Sequence, residues 1–464
     1  MKTLFLVRHG KSSWKDESRP DDERPLKKRG RRQASALSPA LRDAGAFEGS
    51  LFISPAKRAQ QTARAIVGAL PDGDTVQVQV HNELYTFDRG RLLSWLQSQT
   101  PQSPLVIIGH NPALLNLANR LLNIPLQALP TGGAVQITLP GRSWRQVGRQ
   151  TGECSDVLLP EHLDYKLFRR NAPKAPGMGG KKIKKRIPAS LQHQARLIEA
   201  LEPGVRRGYD PEFLHQFRVN IRRSRAIGES MERILKDSTL KKGLKGLKRQ
   251  GRETSHLRDL DVFLETLSNW REVPERREAI DALDLQTWFQ RKQADEHLRL
   301  CQVLDSDQYA KDMQRWSKLV QGDTVAKLAN RIKRKRIRYT LDEQIARHDR
   351  LFNALTPTST DTDFHQVRKS LKRVRYLIDL DSDHLAGNIS GLKERQKRFG
   401  HFQDLHVQMT LLDEVASQNL SDSQHHALSQ LIDQLRIDQQ QTRNKILTLE
   451  PLAVPVTSRG MDGG

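Results

Sequence analysis

The sequence has few of the features that stabilise or anchor proteins outside the cytoplasm. It contains two cysteines, Cys154 and Cys301, in what we interpret as different domains, which argues against a disulfide framework or a cysteine-rich metal site. The apolar run before Arg8 is too short for the core of a signal peptide, and no run approaches the roughly 18 residues of a membrane span. We therefore expect a soluble, cytoplasmic protein without a membrane partner.

Hydrophobic and aromatic residues are also scarce, whereas positive charge is abundant. Hydrophobic residues make up 36% and aromatic residues 5% of the 464 residues, and the net charge is +23. A field of this size attracts polyanions such as nucleic acid, an acidic membrane surface or polyphosphate, although a basic surface can also serve solubility alone. The length indicates two or three domains.

The first part of the chain alternates apolar strand-like runs with helical segments. This alternation predicts an α/β domain with a mostly parallel sheet. A segment rich in proline and glycine follows at 171–180, and beyond it the spacing is helical to about residue 449. The strands are predicted at 4–7, 51–53, 76–80, 105–108 and 134–137, and the domains at 1–165, 183–450, a linker at 166–182 and a flexible tail at 451–464.

Four polar segments lie at or just after predicted strand ends. Since ligands bind at the carboxyl ends of strands in α/β sheets, these segments could converge on one pocket with imidazole, guanidinium and carboxylate groups. A single histidine is more often structural than catalytic, so the prediction depends on the whole set. The segments are Arg8-His9-Gly10, Ser54 to Thr62, Asn82-Glu83-Leu84-Tyr85 and Gly109-His110-Asn111-Pro112.

In these segments, residues 1 to about 160 resemble the histidine phosphatase superfamily and, within it, the SixA-like phosphohistidine phosphatases. The resemblance implies a phosphoglycerate-mutase-like α/β fold and a phosphatase that acts on phosphorylated proteins or phosphate esters. It also implies that His9 is the nucleophile and that Arg8, Arg58 and His110 clamp the phosphoryl oxygens. Phosphoryl transfer of this kind needs positioning and charge neutralisation, so we expect no metal and no other cofactor.

The general acid is a separate question. Glu83 is our candidate, because a carboxylic acid near the leaving group could protonate it. The alternative is that Glu83 is a surface or hydrogen-bonding carboxylate.

The helical part contains an internal repeat of cationic residues. His215, Arg218, Arg222 and Arg225 recur 150 residues later as His365, Arg368, Lys372 and Arg375. A second block, from Lys248 and Arg252 to Val262, recurs 145 residues later as Lys393 and Lys397 to Val407. Two ordered blocks at similar offsets predict two copies of one helical unit.

The spacing of these cations predicts positive stripes on helix faces. Positions 0, 3, 7 and 10 fall within an arc of roughly 80° at about 100° per residue. Because the stripes are nearly free of acids, we interpret them as anion sites, with a merely solvated face as the alternative. Two further stripes are predicted, at Lys241, Lys245, Lys248 and Arg252 and at Lys327, Arg331, Arg334 and Arg338.

Residues 183 to about 450 resemble the CHAD domain, the conserved histidine α-helical family. The resemblance implies an all-α helical bundle of two repeats with a basic channel that binds inorganic polyphosphate. We assign Asp259 and Asp404 to structure, where they pin basic side chains or a helix end. The residues that would line the channel by this match are His215, Arg218, Arg222, Arg225, Lys248, Arg252, His365, Arg368, Lys372, Arg375, Lys393 and Lys397.

Nucleic acid is the competing ligand. Proteins that bind single strands usually add stacking aromatics to their cations, and no aromatic residue occupies a stripe position here. We therefore favour polyphosphate, and we hypothesise that the helical part localises the phosphatase to polyphosphate granules. The alternatives are a non-catalytic scaffold that binds polyphosphate and, less favoured, a nucleic-acid-binding protein.

Overall fold

The computed structural model describes residues 1–71, 73–141, 143–177, 182–381, 385 and 391–452. The chain divides into two compact units: unit 1 comprises Met1–Ala172 and Leu201–Leu214, and unit 2 comprises Pro173–Ala200 and His215–Gly464. Residues 178–181 of the predicted linker and residues 453–464 of the predicted tail lie outside the described residues. In the part of the chain that is described, no helix is both long enough and apolar enough to cross a membrane.

A six-stranded sheet forms the centre of unit 1. Its strand order is β3-β2-β4-β1-β5-β6, with parallel pairing from β3 through β1 and antiparallel pairing of β5 with β1 and of β6 with β5. The mostly parallel sheet predicted from the sequence is confirmed. The strands are β1 (Lys2–Arg8), β2 (Ser50–Ile53), β3 (Val78–Val80), β4 (Leu105–Gly109), β5 (Ala134–Leu139) and β6 (Glu153–Leu158).

Helices cover both faces of this sheet, which explains why its central strands are apolar throughout. In β1, Phe5 and Val7 pack into the core on one face, with residues of α1 and α2, whereas Leu4 and Leu6 pack on the other face, with α3 and α4. The helices of this part of the chain are α1 (Lys28–Asp43), α2 (Lys57–Val67), α3 (Arg89–Ser98), α4 (Ala113–Leu121), α5 (Pro160–Leu163) and α6 (Tyr165–Asn171).

Unit 1 includes a segment that is distant in sequence, Leu201–Leu214. Arg207 forms a two-pronged contact with the Asp156 carboxylate of β6, at 2.6 and 2.5 Å. The Phe213 ring packs against Phe168 of α6, with the ring centroids 5.5 Å apart. These ionic and aromatic contacts join the segment to the sheet and to α6.

The second part of the chain is helical, as predicted. A buried cluster that includes Phe263, Phe289, Leu412 and Leu431 forms much of its core, and the rings of Phe263 and Phe289 meet edge to face at 4.7 Å. The helices are α7 (Ile183–Arg207), α8 (Glu212–Leu235), α9 (Lys241–Glu253), α10 (Ser255–Trp270), α11 (Pro274–Ala282), α12 (Leu285–Asp305), α13 (Asp307–Gln321), α14 (Asp323–Asn330), α15 (Arg334–Asn353), α16 (Asp361–Leu380), α17 (Leu392–Val415) and α18 (Asp422–Leu447).

The two copies of the repeat differ in one helix. The first cationic block lies on α8 and its copy lies on α16, each within a single helix. The second block is divided between α9 and α10, with Thr254 at the break, whereas its copy lies within the continuous helix α17. The duplication is therefore unequal at this point.

The predicted stripe that begins at Lys327 is wrong. Helix α14 ends at Asn330 and α15 begins at Arg334, so the four residues do not share one helix. Arg331 is paired with Asp237 at 2.6 Å and Arg334 with Asp381 at 3.2 Å. Helical spacing could not show these carboxylates, because they are remote in sequence.

Candidate active site and cationic cavities

His9 lies directly after β1, at the carboxyl end of the parallel strands. Its side chain is buried, and its Nδ1 is 2.8 Å from the Gly10 carbonyl oxygen. Because a carbonyl only accepts, Nδ1 donates a hydrogen there, and in the neutral ring Nε2 keeps its lone pair. Burial, together with the charges of Arg58 and Arg8, lowers the pKa of His9 to about 4. At neutral pH, Nε2 is therefore available as a nucleophile.

His110 follows β4, and its ring centroid is 5.1 Å from that of His9. Its Nε2 is 2.8 Å from the Ser54 hydroxyl, whereas its Nδ1 is buried and has no hydrogen-bond partner among the described residues. Burial and then the charge of Arg58 lower the pKa of His110 to about 3. If Ser54 donates to Nε2, the hydrogen of the neutral ring lies on Nδ1, where a phosphoryl oxygen could accept it.

Arg58 is paired with a carboxylate that the sequence analysis did not select. Its side chain is buried on α2 and donates to the backbone carbonyl of Asp21 and, at 2.7 Å, to the Asp21 carboxylate. The Tyr85 hydroxyl donates to the same carboxylate oxygen at 2.9 Å. Partial burial opposes ionisation of Asp21, but the hydrogen bonds from Tyr85 and Arg58 lower its pKa. An ionised Asp21 therefore orients the Arg58 guanidinium.

Arg8 supplies the second guanidinium. Its Nη1 donates to the Leu129 carbonyl oxygen at 2.9 Å, and its Nε is buried without a hydrogen-bond partner in the described part of the chain. Burial lowers the pKa of Arg8, and its charge lowers the pKa of both His9 and His110. The charges of both guanidiniums thus act on both imidazoles, whose ring centroids lie 5.1 Å apart, and such a set of donors suits a phosphoryl group.

Two aromatic rings flank this group of residues. The centroids of Tyr85 and Phe87 lie 5.4 and 5.5 Å from that of His110, and Phe87 is 47% exposed. Since Phe87 is partly accessible, an apolar face is presented to solvent next to the imidazole. This face could contact the part of a substrate that carries the phosphoryl group.

The loop that carries His9 is supported by close backbone packing. A Cβ atom at Gly10 would collide with the Gly30 carbonyl, and one at Gly30 would collide with the Lys11 carbonyl. The Gly10 amide donates to the Thr62 hydroxyl at 3.1 Å, and the Lys11 amide donates to the Gln33 side chain at 3.0 Å. Helices α1 and α2 therefore fix the backbone that carries His9.

The structure brings together Arg8, His9, Arg58 and His110, which sequence analysis selected, but it places Glu83 differently. Glu83 is exposed in the 3-10 turn Asn82–Leu84, and none of its described contacts reaches those four residues. Its role as general acid stays a prediction. Asp21 was missed because it follows no strand, so its position gave no signal.

Unit 2 contains two cationic cavities that share residues. One has a volume of about 610 Å³ and the other about 960 Å³, and Arg222, Lys372 and Tyr376 line both. The predicted channel residues that line at least one cavity are Arg222, Arg225, Lys248, Arg252, Arg368, Lys372 and Arg375. The other cations that line them, which were not assigned to the channel, are Arg186, Arg223, Arg233, Lys241, Lys245, Lys369 and Arg373. The predicted faces are not free of acids, because Arg225 is paired with Glu229 and Arg375 with Asp379.

The other predicted channel residues lie elsewhere. Arg218 donates to the Gly251 carbonyl at 3.1 Å and to the Thr254 hydroxyl at 2.8 Å, at the break between α9 and α10. His365 lies 2.5 Å from the Gln403 side-chain oxygen, and His215 is half-buried on α8. Lys393 and Lys397 of α17 are exposed. Lys397 borders a separate groove together with His401.

The cations in the cavities repel one another, and Lys372 shows the effect most clearly. Burial and then the charges of Arg368 and Arg222 lower the pKa of Lys372 to about 7. Burial also lowers the pKa of Arg368, and Asp404 opposes the lowering at both Lys372 and Arg368, much as Asp259 opposes the lowering of the pKa of Arg218 by burial. A bound polyanion would relieve the repulsion and favour protonated Lys372.

Comparisons with known proteins agree with both sets of motifs. Residues 4–93 match the histidine phosphatase superfamily (branch 1), and residues 189–413 match the CHAD domain. An uncharacterized protein of Picosynechococcus sp. is 28% identical over 178 residues, which cover 37% of this chain and 96% of that protein.

Two solved structures resemble separate parts of the chain. A structure assigned as the phosphohistidine phosphatase SixA from Nakamurella multipartitia is 23% identical, covers 34% of this chain and 96% of its own, and has a TM-score of 0.30. The CHAD domain from the plant Ricinus communis is 21% identical, covers 60% of this chain and 96% of its own, and has a TM-score of 0.46. From the two family matches and the fold of each part, we conclude that this polypeptide combines a histidine phosphatase superfamily (branch 1) domain with a CHAD domain.

Proposed function

We propose that the protein is a phosphatase that works through a phosphohistidine intermediate on His9 and needs no metal ion. The observation that carries this proposal is the contact between His9 Nδ1 and the Gly10 carbonyl, which keeps the Nε2 lone pair available beside Arg8, Arg58 and His110. The family match supports phosphatase chemistry in this part of the chain. The substrates proposed are phosphohistidine proteins and other phosphorylated molecules.

The reaction would proceed in two transfers. His9 Nε2 attacks phosphorus, and the bond to the leaving nitrogen or oxygen breaks, so that the electron pair departs with the leaving atom, which takes up a proton from solvent. Water then attacks the phosphohistidine and gives up a proton to solvent, the Nε2–P bond breaks with its electron pair returning to Nε2, and phosphate leaves with His9 neutral again. The two arginines and the Nδ1–H of His110 would stabilise the charge on the equatorial oxygens.

The aromatic face favours phosphohistidine over polyphosphate as the substrate. A flat imidazole leaving group could pack against Phe87 and Tyr85, whereas a chain of phosphates has no apolar face to offer. Phosphohistidine also has a nitrogen leaving group that protonates readily, so a strong general acid is less needed than for an alkoxide.

For the CHAD domain we propose binding of inorganic polyphosphate. Most residues that line the larger cavity are Arg and Lys from α8, α9 and α16, with Glu229 and Glu232 among them. In the smaller cavity Arg and Lys share the lining with apolar residues and Asp379, and Tyr376 is the aromatic residue among the described linings of both. A bare phosphate polymer needs cations and hydrogen-bond donors rather than stacking surfaces. Binding would hold the phosphatase on polyphosphate in the cytoplasm, including polyphosphate granules.

The phosphatase proposal is tested by measuring phosphate release from a phosphohistidine protein, from p-nitrophenyl phosphate and from polyphosphate. His9→Ala should lower the rate by roughly 10³-fold or more, as expected for loss of a nucleophile. His162→Gln, which alters another half-buried histidine of unit 1, is the matched control and should keep the activity. Equal and slow release by wild type and His9→Ala would favour the scaffold alternative.

The binding proposal is tested with Arg222→Glu combined with Arg368→Glu. Polyphosphate affinity should fall at least about tenfold, since hydrogen bonds to charged groups contribute roughly 1.5–3 kcal/mol each, and wild-type affinity should fall steeply with salt. Arg336→Glu with Arg350→Glu reverses the same charge at exposed positions of α15 and should bind as wild type, apart from a small general effect. Binding that is indifferent to salt and to the first pair would indicate a protein-interaction module.

A further inference from the structure

We propose that unit 1 contains a second polyphosphate-binding site, in a groove between α1 and α6, outside the catalytic site and the CHAD domain. The inference rests on the proposed function, because it assigns to the groove the ligand that we propose for the CHAD cavities. The cations that line the groove are Lys28, Arg29 and Arg32 on α1 and Lys166, Arg169 and Arg170 on α6.

The groove concentrates positive charge with little neutralisation. Within the described residues, the carboxylate paired with its cations is Asp164, which lies 2.6 Å from Arg32. Asp164 also caps α6, because its side chain accepts a hydrogen bond from the Leu167 amide at 2.9 Å. The same carboxylate therefore pairs with Arg32 and caps the helix. The first turn of α1 contains no acidic residue. Repulsion among the remaining cations would fall if an anion bound between the helices.

The shape of the groove suits a chain segment rather than a single ion. Its volume is about 610 Å³, within the range of roughly 300–1,000 Å³ for sites that hold whole small molecules. Arg29 is half-buried, and its Nε is buried without a hydrogen-bond partner in the part of the chain that is described. The other five cations are exposed at the groove and can reach a ligand from both helices.

The lining also distinguishes among classes of polyanion. Protein interfaces usually depend on buried aromatic or apolar anchors, and single-stranded nucleic acid depends on stacking. Leu167 is the apolar residue of the described lining, and its side chain is buried, so the groove offers neither an anchor pocket nor a stacking surface. Guanidinium and ammonium donors from two sides match a row of phosphates.

The groove shares α1 with the loop that carries His9. The first turn of α1 contains Gly30, whose backbone packs against Lys11 directly after the His9-Gly10 segment. One turn further on, Gln33 accepts a hydrogen bond from the Lys11 amide. A polymer in the groove would therefore be held by the same helix that positions the nucleophile loop.

The experiment uses the full chain and long-chain polyphosphate, with binding measured by titration at low salt. The background is the double variant Arg222→Glu and Arg368→Glu, which weakens binding in the two CHAD cavities. Adding Arg29→Glu and Arg169→Glu should lower the residual affinity by about tenfold or more. Adding Arg120→Glu and Arg145→Glu, two exposed arginines of the same unit, is the matched control and should leave most of the residual binding. Thermal unfolding confirms that each variant is folded.

The two proposals fail in different ways. If the groove variants and the control variants lower residual binding equally, the groove is not a site, whatever the CHAD domain does. If the background variant binds as tightly as wild type, polyphosphate binding by the CHAD domain is wrong, and loss on reversing Arg29 and Arg169 would still support the groove. Residual binding that is absent in the background variant would overturn the groove proposal.

Discussion

At the scale of single residues, the tautomer of His9 is set by its own neighbour's backbone. The Gly10 carbonyl accepts from Nδ1, and burial among cations keeps the ring neutral. In the proposed reaction, phosphoryl transfer would then start from a ring that does not have to lose a proton first. Sequence motifs identified His9, Arg8, Arg58 and His110, but a tautomer depends on a contact distance that the sequence does not contain.

The buried, cationic environment of His9 predicts how phosphatase activity falls at acid pH. Because the pKa of His9 is lowered to about 4, the reactive neutral form persists as the pH falls and is lost only below about pH 4. We expect kcat/KM, corrected for ionisation of the substrate, to be level from pH 7 to about 5 and to fall about tenfold per unit below 4. A limb near pH 6.5 would show that the imidazole is solvated rather than buried.

A second residue-scale prediction concerns Lys372. Its pKa is lowered to about 7, so the side chain of the ligand-free protein is increasingly neutral as the pH rises above 7. A polyanion favours the protonated form, so binding takes up a proton, and affinity should decrease by up to about tenfold per unit above pH 7. Calorimetry in buffers of different ionisation enthalpy measures this uptake. Lys372→Arg, which stays charged, should abolish the pH dependence, and an unchanged profile would contradict the assignment.

At the scale of elements, the contact between α1 and the loop that carries His9 requires glycine. Gly30→Ala would place a Cβ against the Lys11 carbonyl, and overpacking of this kind costs about 1–3 kcal/mol. We expect a lower free energy of unfolding and weaker phosphatase activity. Gly400→Ala is the control, because nothing lies within 4 Å of the added carbon on α17, and there stability should rise by about 1 kcal/mol. Equal effects of the two changes would argue against the close packing.

Most elements could be predicted from the sequence, and the failures have physical causes. Four of the five predicted strands are largely apolar and the fifth, at 76–80, alternates Val with Gln, whereas β6 was missed because Glu153, Cys154 and Ser155 are exposed and give little apolar signal. The stripe from Lys327 had the correct spacing, but ion pairs with Asp237 and Asp381 accompany a helix break there. The spacing of residues in the sequence predicts a shared helix face only when all of them lie in one continuous helix.

At the scale of the whole molecule, a segment that sequence analysis assigned to the helical part belongs to the phosphatase unit. Residues 201–214 join unit 1 through the Arg207–Asp156 contact and the packing of Phe213. Composition and spacing gave no signal for this, because the segment consists of the end of α7, a short turn and the start of α8, a pattern that recurs throughout the helical part. Only its partners, about 50 residues earlier in the chain, assign it to unit 1.

This arrangement predicts unequal effects at adjacent arginines. Arg207→Ala removes hydrogen bonds to the Asp156 carboxylate and to the Val157 carbonyl, and we expect it to destabilise unit 1 by about 1–3 kcal/mol. Arg206→Ala removes a pair with Glu202 one turn away and should cost no more than about 0.5 kcal/mol. Thermal unfolding, followed through phosphatase activity, compares them. Similar melting temperatures would show that the segment is not part of the unit.

The break between α9 and α10 bears on how duplicated modules diverge. In the first copy, Arg218 is bound to the backbone and hydroxyl groups at that break, while its counterpart Arg368 lines a cavity beside an uninterrupted α17. Two arginines at equivalent places in the repeat thus have different roles: Arg218 stabilises the helix break, and Arg368 lines a cavity. The two ends of a phosphate chain are chemically equivalent, but the two repeats that would bind it are not. Matched substitutions in the two repeats are informative because their consequences differ.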